Sequence, residues 1–120
     1  MNEIKIEDLL KGEVVEKTKI IKMEIKTAEE VYKGKTRNPN KKVLVVYTEN
    51  GTREAFILPE GLEFENGEFV VVNKVKVAQS LKNRNSKLGN FIRKYGKRPE
   101  VGMEVETTLD DKTGFSRIVI

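Results

Sequence analysis

Between Lys74 and Arg98 the chain carries Lys74, Lys76, Lys82, Arg84, Lys87, Arg93, Lys94, Lys97 and Arg98, with no Asp or Glu among them. Ammonium and guanidinium groups collected in this way can neutralise phosphates and release their counterions, which is the chemistry of binding and not of bond breaking. With a net charge of +4 for the whole chain and nine cations in this window, the remainder carries −5. A surface polarised to that degree suits an anionic polymer. The plainer reading is a solvated segment whose lysines give solubility or pair with acids elsewhere, such as Glu63, Glu65 and Glu68.

A second group lies between Thr27 and Lys42, where Tyr32, Lys33, Lys35, Arg37, Lys41 and Lys42 combine an aromatic ring for base stacking with cations for phosphate. A long polar segment of this kind can equally be only a mobile loop. Tyr47 and Phe56 form a third group. If their strand face looks outward, they offer an aromatic platform for unpaired bases; if inward, they are core. Near the end of the chain, Lys112 and Phe115 add a cation and a ring. Tyr95 falls on an apolar helix stripe, packed, with its hydroxyl at the rim.

Other chemistries find little support. The chain has no Cys and no His, so there is no disulfide framework and no thiolate nucleophile, and a zinc site would need carboxylates alone. Asp110-Asp111 sits in a turn, and Glu104 and Glu106 share a solvent-facing strand side, so no acid/base pair emerges. Gly34-Lys35-Thr36 lacks the glycine five residues earlier that a phosphate-binding loop needs, since Glu29 stands there. Asn50-Gly51-Thr52 matches a glycosylation acceptor but reads better as a turn. The expectation is a non-enzymatic protein with neither catalytic residues, cofactor nor metal.

The elements that must position these groups show mostly two-residue alternation. Ile21, Met23 and Ile25 alternate with Lys22, Glu24 and Lys26, so a first strand is expected from about Glu13 to Lys26. Strands two and three run from Lys41 to Pro59 around Asn50-Gly51, a two-residue hairpin signal that pairs Tyr47 with Glu54, Val45 with Phe56 and Val43 with Leu58. Both faces of this hairpin are largely apolar, and alternation alone leaves the buried one open. Asn66-Gly67 signals another hairpin with Phe64 opposite Phe69, although Glu65 and Glu68 then oppose as like charges. Leu88, Phe91, Ile92 and Tyr95 recur at helical spacing, with Asn85 or Ser86 to cap the start, Gly96 at the end and Pro99 beyond. Met103, Val105, Thr107 and Leu109 alternate again, and Phe115 to Ile120 closes with a last strand.

This order predicts one domain over residues 1–120, mainly β. Its architecture is an OB-fold-like five-stranded Greek-key barrel, with one short helix at about 86–95 between strands three and four. The segment at about 61–77 is an extra β piece, placed beside strand three. The run from Asn85 to Gly96, followed by Val101-Gly-Met-Glu-Val105, resembles small archaeal and phage-type OB-fold proteins of single-stranded-DNA-binding character. The resemblance covers about the last third of the chain, and it is what favours DNA over RNA.

Heavy charge with Cys and Trp absent suits a thermophile. A charged start without an apolar core is unlike a signal peptide, and no apolar run approaches the roughly 20 residues that span a bilayer. The expected location is the cytoplasm, without membrane contact. The expected partner is single-stranded nucleic acid, read with weak sequence preference. The contact residues would be those of the first loop with Tyr47, Phe56, Lys82, Arg84, Lys87, Arg93, Lys94, Lys97, Arg98 and Phe115. A rival from another class is an interaction module or assembly subunit, homodimeric or docking an acidic protein on its basic face.

Overall fold

A one-residue irregularity that alternation does not reveal bends the long first strand. In this computed structural model, which describes Ile6, residues 15–110 and residues 113–120, β1 spans Val15–Thr27. The expected strand start at Glu13, together with Asp111 and Lys112, lies outside the described residues. The first part of β1 pairs antiparallel with β6 (Glu104–Leu109), from Val15 opposite Thr108 to Lys19 opposite Glu104. Its second part pairs with β2 (Lys42–Thr48), and the register shifts between Ile20 and Lys22. Such a bulge moves the side-chain alternation by one place. Ile20 is therefore buried and Ile21 exposed, while Met23 and Ile25 still pack on the core. The expectation that Ile21, Met23 and Ile25 share one face is corrected at its first member.

β3 (Arg53–Ile57) pairs with β2 one step away from the expected register, with Tyr47 opposite Arg53, Val45 opposite Ala55 and Leu44 opposite Phe56. The connection has three residues instead of two. The Thr48 amide donates to Thr52 O at 3.0 Å and the Gly51 amide to Thr48 O at 3.1 Å. Gly51 alone in this turn takes a positive φ, +87°, as a type I turn closed by a left-handed residue requires. Asn50 instead uses its side chain, accepting from the Thr52 amide at 3.2 Å and donating to Thr107 Oγ1 at 2.9 Å. The turn is thereby tied to β6.

The shift sorts the two apolar faces. Leu44, Val46 and Phe56 turn into the main core with Ile20, Leu88, Phe91, Val105 and Ile118. Val43 and Val45 turn the other way, into a small cluster capped by Ala28, Val31 and Tyr32. Those three belong to α1 (Ala28–Tyr32), a short helix inside the expected polar loop, with Thr27 as its N-cap and Lys33 left-handed at its end.

The main sheet has the order β3-β2-β1-β6-β7, with β7 at Ser116–Ile118. Its two ends approach, and the Ile118 amide donates to the Glu54 carboxylate on β3 at 3.0 Å. The result is a nearly closed five-stranded antiparallel barrel with the strand order of an OB-fold, as expected. Over its core lies α3 (Lys87–Tyr95), capped by Ser86 and ended by left-handed Gly96, and its Phe91 ring meets Phe56 edge-on at 5.6 Å. The Tyr95 hydroxyl donates to Val119 O at 2.6 Å and accepts from the Glu106 amide at 3.2 Å, pinning the helix to the last two strands.

Between β3 and α3 the chain departs from a minimal barrel. β4 (Leu62–Glu65) and β5 (Glu68–Val71) form a separate two-stranded sheet and do not extend β3. Its register matches expectation, with Phe64 opposite Phe69 and Glu65 opposite Glu68. The β character ends at Val71, because α2 (Lys74–Lys82) begins after Asn73, whose side chain accepts from the Lys76 amide. α2 buries only Val77, so its sequence shows almost no apolar stripe from which a helix could be read.

Candidate nucleic-acid interface

On the outside of the barrel, α1 covers the apolar part of β2 and leaves a groove beside β3. One wall is Tyr32 and Lys41 from the connection between β1 and β2. The opposite wall is α2 and the α2–α3 turn, with Gln79 and Asn85, and the floor is Ala55, Ile57 and Leu58. The groove encloses about 700 Å³, within the usual size range for small-ligand sites. Tyr32 is half-buried, and its hydroxyl titrates above the usual tyrosine value because burial disfavours the phenolate and the Glu54 carboxylate adds repulsion. A smaller hollow, of about 440 Å³, continues past Tyr32 towards Lys33, Tyr47, Arg53 and Lys87.

The cations divide into two populations. Lys33, Lys35, Arg37, Lys41 and Lys42 are exposed, and among the described residues none of them makes an ion pair. The Lys74–Arg98 window is different. Lys76 pairs with Glu60 at 2.7 Å, Lys87 with Glu54, Lys94 with Glu106 at 3.2 Å, Lys97 with Glu100 at 3.1 Å and Arg98 with Glu100 at 4.0 Å. Arg93 donates to Leu81 O at 2.7 Å and also reaches Asn83 O, satisfying carbonyls at the end of α2. Lys74, Lys82, Arg84 and Arg93 of the window make no ion pair among the described residues.

The uninterrupted basic window is thus not an uninterrupted basic surface. A segment without acids recruits its counter-ions from other elements, here Glu54, Glu60, Glu100 and Glu106. The expected alternative partners Glu63, Glu65 and Glu68 form none of these pairs. Glu63 does approach the first loop, since it shares the lining of a hollow with Lys41 and Lys42.

The aromatic platform also requires correction. Phe56 is 0% exposed and belongs to the core, where no ligand ring can reach it. Tyr47 lies on the opposite, outer face, so the two rings cannot act together. The Tyr47 hydroxyl donates to Glu24 at 2.5 Å, and the Lys22 ammonium sits 5.3 Å from the ring centroid. Glu24 is held down to about 2, first by that hydroxyl and then by Lys22 and Lys26. Phe115, in the loop between β6 and β7, is 76% exposed.

Arg53, Gln79 and Asn85 border the groove or its continuation without having been named as contacts beforehand, Asn85 having been read only as a candidate helix cap. Arg53 follows from the corrected hairpin register, Gln79 from α2, which the sequence does not announce, and Asn85 from the turn that α2 makes into α3. Among the described residues no group of three or more His, Cys, Asp or Glu could hold a metal ion, and no helix is long and apolar enough to cross a membrane.

No family model, curated protein or solved structure matches this chain. What places it is therefore its own architecture, an OB-fold-like barrel with a polar groove and a cationic loop on one side.

Proposed function

We propose that this chain is a non-enzymatic binder of single-stranded nucleic acid, acting in the cytoplasm, with the connection between β1 and β2 as its phosphate-holding element. The observation that carries this reading is the set Lys33, Lys35, Arg37, Lys41 and Lys42, five exposed cations without ion-pair partners among the described residues, beside a groove edged by Tyr32. Free cations release counterions from phosphates at no cost of broken ion pairs, whereas the paired lysines of α3 must first give up their carboxylates. Unpaired bases suit a groove of this depth, and stacking against Tyr32 is tolerant of base identity. The pattern resemblance of residues 85–105 favours DNA over RNA.

Exposed Val70, Val71, Val72 and Val75 favour a second reading, an assembly module that docks a protein partner. Anisotropy titration of labelled 20-residue oligo-dT and oligo-U at 50 and 200 mM salt separates the two. If five phosphates are contacted, affinity falls about 100-fold over that interval. Absence of binding at 50 mM salt, or binding indifferent to salt, overturns the nucleic-acid reading.

A further inference from the structure

The groove between Tyr32 and the α2–α3 turn has a charge pattern unlike that of the loop beside it. Its inner cations are neutralised, Lys76 by Glu60 and Lys87 by Glu54. Its floor is apolar, with Ile57 47% exposed. Its far wall presents two carboxamides, Gln79 on α2 and Asn85 in the turn, and neither side chain makes a hydrogen bond among the described residues. Each carboxamide offers donors and an acceptor together. The free cations stand outside, on the first loop, with Lys41 at the groove's edge.

We infer that this groove is a base-reading pocket, in which one unstacked nucleobase lies on the Ile57 floor. Gln79 and Asn85 hydrogen-bond its edge while the flanking phosphates rest on the first-loop cations. The inference rests on the nucleic-acid reading above and adds to it the residues that choose the base. A neutral, amide-lined interior beside a positive rim matches a nucleotide part by part, since the base is uncharged and the backbone anionic. A peptide with acidic side chains would instead want unpaired cations along the groove, where here Lys76 and Lys87 already hold carboxylates and only Lys41, at the edge, makes no ion pair among the described residues. One selective position among otherwise tolerant contacts gives modest selectivity overall.

The test uses 12-residue oligo-dT, oligo-dC and oligo-dA with the full chain and two variants, Gln79→Ala/Asn85→Ala and Lys33→Gln/Lys35→Gln/Arg37→Gln. The wild type should separate its best and worst oligomer by about 10-fold, the order expected of edge hydrogen bonds. The amide variant should compress that spread to about 2-fold with the salt dependence unchanged, while the cation variant weakens all three alike. Gln79 and Asn85 are both exposed, so circular dichroism should report an unchanged fold. A spread that survives in the amide variant, or a wild type without a spread, overturns the pocket while leaving the nucleic-acid reading in place. Failure of all three oligomers to bind at 50 mM salt overturns both.

Discussion

The carboxylate of Glu54, 8% exposed, accepts a hydrogen bond at 3.0 Å from the backbone amide of Ile118 and also pairs with Lys87. One side chain on β3 thus joins β7 and α3 at the seam where the barrel nearly closes. Truncating it leaves a buried amide unsatisfied and removes the counter-ion of Lys87. Glu54→Ala should therefore cost about 3 kcal/mol in urea unfolding. Glu54→Gln keeps an acceptor for Ile118 and should cost clearly less. Equal losses in the two variants would show that the hydrogen bond at the seam contributes little.

Gly89 is where α3 meets the end of α2. A Cβ there would run into the Leu81 carbonyl oxygen, well inside contact distance, and a backbone carbonyl cannot swing aside as a side chain can. Helix propensity favours Ala over Gly by about 1 kcal/mol, so a free helix would gain from the change. The clash should outweigh that gain, since overpacking costs about 1–3 kcal/mol and sometimes more. Gly89→Ala is expected to lower the denaturation midpoint, and a raised midpoint would mean that the two helices separate readily.

These two sites mark the boundary of what the sequence discloses. Features set by neighbours in the chain were legible. The α3 stripe with its Ser86 and Gly96 caps is one, and the Asn66-Gly67 turn, whose residues both take positive φ, is another. The order of strands was legible for the same reason, and with it the barrel. Features set across the chain were not. Asn50 bonds Thr107 on β6, and this long-range tie favours the three-residue turn that moved Phe56 inward and Tyr47 outward. The bulge at Ile21 sits where β1 passes from one partner strand to the other. In the candidate interface, the first-loop cations were legible as a local run of Lys and Arg, and they lie exposed. The Lys74–Arg98 window misled because its carboxylates arrive from β3, β6 and two loops.

Glu24 gives a pH signature. Its folded pKa of about 2 lies below the ordinary carboxylate value of 4.5, so its interactions favour the folded state when it is ionised. That contribution is fully present above about pH 4.5 and is lost as the pH falls through about 2. The Tyr47 hydroxyl is the largest cause of the depression. Tyr47→Phe should raise the Glu24 titration midpoint towards 4.5, read from its side-chain carbonyl carbon by NMR, and should remove part of the stability difference between pH 5 and pH 2. An unmoved midpoint would transfer the effect to Lys22 and Lys26.

The two cation populations predict opposite responses to charge removal. Lys33→Gln/Lys35→Gln/Arg37→Gln removes three cations without ion-pair partners among the described residues, so it should weaken single-strand binding and lower the slope of log affinity against log salt by about 2. Lys94→Gln/Lys97→Gln/Arg98→Gln removes cations that already hold Glu106 and Glu100, and it should change that slope by less than about 1. Arg93 is kept out of this second set because it satisfies the Leu81 carbonyl at the end of α2, so its removal would perturb the fold together with the charge. If the α3 variant loses as much slope as the loop variant, bound phosphates must displace Glu100 and Glu106, and the contact surface extends over α3 after all.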